Sequence, residues 1–259
     1  MGRFFVGVNL ENLADFSPFK WIGESIDQDS HPESIWGFVS EYLPVGYGAY
    51  CKIFHAAYED LAVTDKSISW DEIGLEGNLD SSDQIERVTW QGLATRFSLK
   101  FHPEINQDSF ALNFPKGSWP RYLIVPREGT LDEDECPQLV QALLPFSIGQ
   151  DCFFYYASII RTTDHGNPGI LYHGGLTNVD ELSSEGDYYV SPTYWWPEDR
   201  SWTVFTDPDY AFTIVGGSRG LIDSILGDAF LEAVEVELTT RITPNSDDIN
   251  VQANQTETT

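Results

Sequence analysis

At 259 residues, with 41% hydrophobic and 14% aromatic side chains, the chain has enough apolar matter for a substantial core, in one large domain or two small ones. Against 41 acidic residues stand 14 lysines and arginines, a net charge of −27 that repels nucleic-acid phosphates and anionic membranes and argues against direct binding to either. No apolar run reaches the roughly 18 residues a membrane-spanning helix needs, and Cys51, Cys136 and Cys152 are too scattered for a disulfide scaffold or a zinc site.

The opening MGRFFVGVNLENL is interrupted by Glu11 and Asp15 too early for a signal peptide, and Val6 breaks the myristoylation pattern that Gly2 would begin. A cytoplasmic protein is the expectation. Arg3 to Val8 predicts a short first strand. Phe16 to Ile26, interrupted by Pro18 and Gly23, reads as a packed loop or short helix. Pro32 opens a helical pattern through Ile35, Trp36, Val39 and Tyr42 that Pro44 stops. Gly46 to Tyr58 alternates as a strand, and His55 falls on its apolar face or at its end, the setting of a hydrogen-bonded core histidine rather than a catalyst. Ser69 and Glu72 have capping-box spacing. Gln84 to Phe97 reads as a further helix, and Lys100 to Trp119 as a long loop without clean periodicity.

Arg121 to Pro126 is a strand candidate. The acidic run Asp132 to Glu135 precedes Leu139, Val140, Leu143 and Leu144, so it sits where carboxylates oppose a helix dipole favourably. A metal-binding carboxylate cluster is the alternative, but no second cluster lies near it in sequence. Cys152 to Ile160 has the continuous apolar character of a buried central strand. Asp164 to Gly169 forms a strong turn signal before a strand at Ile170 to His173. Asp164, His165 and His173 lie close together, yet a metal would need a third or fourth consistent donor. Turn chemistry accounts for them.

The stretch from Tyr194 to Leu226 organises the rest. Ser201 to Thr206 and Tyr210 to Val215 are aromatic and β-branched, and Asp207-Pro208-Asp209 between them makes a turn, so the two runs predict an antiparallel hairpin. Gly216-Gly217 follows, Ser218 is placed to cap a helix, and Leu221, Ile222, Ile225 and Leu226 recur at helical spacing. The GGSRG pattern lacks both GxGxxG and GK[ST] spacing, so it reads as a tight strand-to-helix connection rather than a phosphate cradle. Leu231 to Ile242 alternates as a half-exposed edge strand. The expected architecture is α+β, mainly antiparallel sheet with several packed helices, as a single domain over 1–242. A disordered polar tail is expected over 243–259.

Trp195-Trp196-Pro197-Glu198-Asp199-Arg200-Ser201-Trp202, then Thr206-Asp207, Val215-Gly216-Gly217-Ser218 and Leu221-Ile222, carry a resemblance. The chain resembles an uncharacterised family of soluble bacterial proteins, frequent in actinobacteria, with a WWP-x-[DE]-R-x-W segment followed by VGGS and LI. Ala49 to Tyr58 is similar to the family's AYxRxxHPA stretch, with Ala57 in place of its proline, and Ser69 to Ile73 resembles the following xWxEV. The likeness runs over roughly Val39 to Leu238. It implies a single α+β domain and no particular activity.

Function divides three ways. The charge, the aromatic richness and the lack of a catalytic motif favour an acidic binding module for a basic protein partner, of the immunity or defence-associated kind, with Trp195, Trp196, Asp199 and Arg200 as interaction candidates. An enzyme would need a site assembled from distant residues, His55, Glu198, Asp199 and Arg200 being the best set. For Arg200, stacking on Trp202 or Trp196 beside an acid explains the residue more simply than a carboxylate or phosphate clamp. A DNA mimic ranks last, since the acids do not fall in regular rows. Nothing in the sequence calls for a cofactor or a metal.

Overall fold

In the computed structural model, residues 10–26, 37–73, 83–157, 169–184 and 189–251 are described. The strands are β1 (Leu10–Leu13), β2 (Ala49–Phe54), β3 (Ala57–Asp60), β4 (Ile85–Val88), β5 (Leu123–Ile124), β6 (Cys152–Tyr156), β7 (Ile170–Gly174), β8 (Tyr194–Pro197), β9 (Thr203–Thr206), β10 (Phe212–Gly217) and β11 (Ala233–Val236). The α-helices are α1 (Lys20–Ser25), α2 (Trp70–Ile73), α3 (Trp90–Arg96), α4 (Gln107–Ala111), α5 (Glu135–Leu143), α6 (Asn178–Ser183), α7 (Arg219–Leu226) and α8 (Asp248–Val251).

Two antiparallel sheets result. The larger has eight strands in the order β1-β7-β6-β8-β9-β10-β2-β11, and the smaller has three, β4-β3-β5. The expected hairpin pairs Thr213 with Thr206 and Gly216 with Thr203. The Ser218 hydroxyl accepts from the Leu221 amide, capping α7 as expected, and Leu221, Ile222 and Ile225 are buried. β11 ends the large sheet, so the edge position expected for Leu231 to Ile242 holds, but only Ala233–Val236 of that stretch form the strand.

Alternation sends neighbouring side chains to opposite faces of the large sheet. Trp195, Trp202, Phe154, Cys51 and Val215 meet α5, α6 and α7 on one face. Trp196 turns to the other and meets Trp21 and Ile22 of α1. The diglycine lies inside β10 rather than after it. A Cβ at Gly216 would come within 2.6 Å of the Tyr47 ring, and one at Gly217 within 2.7 Å of Leu221. Close packing on both faces therefore selects the glycines.

Several expectations need correction. Gly46 to Tyr58 is not one strand: it breaks at His55 and Ala56, with β2 in the large sheet and β3 in the small one. Residues 85–88, expected to be helical, form a strand because β3 offers them a ladder, Val88 opposite Ala57 and Ile85 opposite Asp60. Thr89 then starts α3 by accepting from the Gly92 amide at 3.0 Å. The expected loop at 100–119 contains α4, capped by the Asn106 side chain, which accepts from the Asp108 and Ser109 amides.

The tail expected to be disordered from Thr243 instead packs down through α8. Asn250 exchanges two hydrogen bonds with the Lys100 backbone, at 2.8 and 3.0 Å, and Asp247 lies 3.0 Å from His102. Polar side chains, rather than apolar ones, anchor it. The strand expected at 3–8 and the tail beyond Val251 lie outside the described residues, as do residues 32–36 of the helix expected from Pro32 and the turn at 164–168; the described remainder of that helix does not form as an α-helix. Val39–Glu41 is a single 3-10 turn. The α+β class expected from the sequence is the class observed.

Candidate functional site

The break between β2 and β3 places His55 at the junction of the two sheets. Its Nδ1 lies 2.6 Å from the Arg127 carbonyl and its Nε2 lies 2.9 Å from Thr213 Oγ1. A carbonyl only accepts, so Nδ1 carries the proton, and in the neutral ring Nε2 accepts from the threonine hydroxyl. Thr213 Oγ1 in turn receives the Thr206 hydroxyl at 2.8 Å. Burial pushes the imidazole down to about 4. Neutral, and with both nitrogens engaged, His55 clamps the Arg127 loop to β10.

Beside it opens a cavity of about 400 Å³. Its floor is the outward face of the small sheet, where Tyr58 stands opposite Arg87 and Ile124 in the ladder and Ile85 lies two residues from Arg87. The other face of that sheet, with Ala57 and Leu123, packs on the aromatic cluster around Trp90 and Phe110. The cavity wall is the acidic run Asp132 to Glu135, and Arg127 and Thr130 complete the lining.

This acidic wall is built by a reciprocal cap. Asp132 Oδ1 accepts from the Asp134 amide at 3.0 Å and the Glu135 amide at 2.8 Å, while Glu135 Oε2 accepts from the Asp132 amide at 3.3 Å. The run thus starts α5, in the dipole-opposing role expected for it. What the sequence did not reveal is the company it keeps. The Tyr58 hydroxyl donates to Asp132 Oδ2 in a short hydrogen bond. Arg87 Nη2 donates to Glu135 Oε1 at 2.7 Å, and its guanidinium lies 4.2 Å from the ring centroid of Phe230.

Glu135 is fully buried. Burial, reinforced by the Asp132 charge and opposed by Arg87, pushes its carboxyl up to about 7. Glu133 and Asp134 are exposed. The wall therefore combines two structurally committed carboxylates with two that are open to solvent.

The remaining candidates lie elsewhere. Glu198, Asp199 and Arg200 form the turn between β8 and β9, with Arg200 in the left-handed region at φ 59°. Glu198 Oε1 lies 3.1 Å from His173 Nε2, and the Asp199 carboxylate accepts from the Ser201 amide at 2.9 Å. The Arg200 guanidinium sits over Trp21, 4.9 Å from its ring centroid, rather than over Trp196 or Trp202. The local sequence could not show this partner, which comes from α1.

Trp195 and Trp196, expected at an interaction surface, are buried at 0% and 1% exposure on opposite faces of the large sheet. They are core residues, because a strand with helices on both faces has no solvent side. Nor do His55 and Arg200 converge. His55 bonds Thr213, which pairs with Thr206, and Arg200 lies six residues before that threonine. At about 3.3 Å per residue the separation is on the order of 20 Å.

All three cysteines are buried, and burial pushes the thiols of Cys136 and Cys152 up to about 12. Among the described residues, no group of three His, Cys, Asp or Glu is placed to hold a metal ion, and no helix is long and apolar enough to cross a membrane. Comparison with protein-family models, with curated proteins and with solved structures finds no match to the chain.

Proposed function

We propose that the protein is an acidic protein-binding module that engages a basic protein partner at the cavity beside α5. The observation that carries this reading is the joining of a large net negative charge to a concave site. Four consecutive acids, Asp132 to Glu135, wall a cavity of about 400 Å³ whose floor includes the apolar Ile85, Ile124 and Val125. A lysine or arginine side chain fits such a lining, its methylene stem on the aliphatic floor and its charged head at the carboxylates. Arg127 is in the lining and Arg87 pairs with the buried Glu135, while the exposed Glu133 and Asp134 keep the wall acidic. The long-range field of a chain carrying −27 steers the partner in. Blocking a basic partner in this way is what an immunity or defence-associated protein would do.

The test is binding of a lysine-rich peptide across a salt series, with the variant Glu133→Gln/Asp134→Asn alongside. Affinity should drop steeply as salt shortens the screening length to about 8 Å and below, and the variant should bind more weakly at low salt. Over the same series the melting temperature of the free protein should rise as self-repulsion is damped. Binding indifferent to salt would sink the proposal. An enzyme built around His55 and Arg200 draws no support, since those two groups stand apart and His55 has both ring nitrogens engaged.

A further inference from the structure

The cavity mouth is not purely acidic, and its apolar side narrows the kind of partner. Ile85 and Phe230 are 45% and 40% exposed, two of the large hydrophobic side chains that the described surface leaves to solvent. A single residue brings them together. Ile85 and Arg87 project from the same face of β4, and the Arg87 guanidinium lies over the Phe230 ring while bonding Glu135. The arginine thereby bridges Glu135 and the aromatic face of Phe230. Phe230 lies under the guanidinium, and Ile85, two residues along the same face of β4, lines the cavity; these two exposed side chains are the proposed apolar shelf.

We infer that the site takes an extended segment in which a basic side chain is flanked by an apolar one: the basic residue enters the acidic cavity and the apolar residue covers Ile85 and Phe230. This rests on the basic-partner reading above and goes beyond it by fixing the chemistry of the segment. Charge complementarity selects the basic residue. The shelf selects an apolar neighbour, because covering exposed isoleucine and phenylalanine removes apolar surface from water, which a purely polar basic segment does not do. Extended backbone suits the pair, since side chains on a strand-like segment can reach adjoining subsites, as in other modes of peptide recognition.

The experiment compares a fluorescein-labelled Lys-Leu-Lys peptide in a Gly-Ser background with its Lys-Ser-Lys counterpart, by fluorescence anisotropy at low salt. Wild type should bind the leucine peptide about tenfold more tightly, a difference of about 1.4 kcal/mol. Ile85→Ser/Phe230→Ser should bring the two affinities together while leaving the serine peptide's unchanged. Glu133→Gln/Asp134→Asn should weaken both peptides alike. Circular dichroism and melting of each variant, and of Ile85→Ser alone, separate a lost shelf from a lost fold.

Equal affinities on wild type, or a leucine preference that survives the shelf variant, would overturn the inference and leave the basic-partner reading standing. Affinities unmoved by Glu133→Gln/Asp134→Asn would overturn the location. Failure of both peptides to bind wild type at low salt would bring down the basic-partner reading and this inference with it.

Discussion

The two sheets treat charge in opposite ways, and that difference locates the site. On the strands of the large sheet the buried polar groups are chiefly hydroxyls that bond one another or His55, as Thr206 and Thr213 do. Lys52 is the buried charge on those strands among the described residues, its Nζ 2.8 Å from the Ile105 carbonyl and flanked by the rings of Phe54 and Phe212. Burial pushes that ammonium down to about 7.

The small sheet is threaded with ion pairs instead. Glu59 on β3 holds Lys66 and Arg96, each at 2.8 Å, Asp60 faces Arg121 at 3.6 Å, and Arg87 on β4 holds Glu135. One face of the three short strands packs on the aromatic cluster, with Glu59 and its partners Lys66 and Arg96 on that side. The cavity forms on the other face, beside the pair of Arg87 and Glu135. Apolar packing fills the large sheet, and the cavity opens on the face of the small one that the aromatic cluster does not cover.

The contrast can be broken most severely in the large sheet. Trp202 is fully buried, donates its indole N–H to Ser147 at 3.0 Å and meets Trp195 edge-on. Trp202→Ala should cost about 3–5 kcal/mol, read as unfolding or insolubility. If it stayed folded with unchanged denaturant midpoint, the packing account would fail.

The charged face predicts a pH signature. Glu135 is raised from 4.5 in an unfolded chain to about 7, so the fold binds its proton more tightly. That contribution is complete below about 4.5 and is lost as pH climbs through about 7, a span worth about 3 kcal/mol at 1.4 per unit. His55 runs the other way: lowered from 6.5 to about 4, it costs stability as pH falls between those values. Subtracting the pH–stability curve of Glu135→Gln from that of wild type isolates the first effect. A difference curve flat from pH 4 to 8 would show that Glu135 is not held as described.

A smaller loss is expected from truncation after Thr243. It removes the Asn250 and Asp247 bonds to the segment at Lys100 and His102, about 2 kcal/mol in all, and should lower Tm by several degrees. An unchanged Tm would return the tail to the disordered state that its composition suggests. Smallest is Glu198→Gln, which breaks the surface contact with His173 and should move stability by no more than about 0.5 kcal/mol. A larger loss, measured by urea denaturation, would give that turn a weight the structure does not assign it.

What the sequence determined alone is whatever a few consecutive residues can enforce. The hairpin of Ser201 to Thr206 with Tyr210 to Val215, the Ser218 cap, the Ser69–Glu72 helix start and the acidic start of α5 were legible because their turns, caps and periodicities close within a handful of residues. Tertiary structure decided where each piece found a distant partner. Residues 85–88 became a strand only because β3 lay alongside, and residues 243–251 of the polar tail packed down only because Lys100 and His102 met Asn250 and Asp247. Trp195 and Trp196 became core because α5, α6 and α7 covered one face of β8 and α1 the other. The cavity joins residues from four segments: Tyr58, Ile85, Ile124 and Asp132 to Glu135. No local pattern encodes it, because the free energy that assembles it comes from long-range burial and ion pairing.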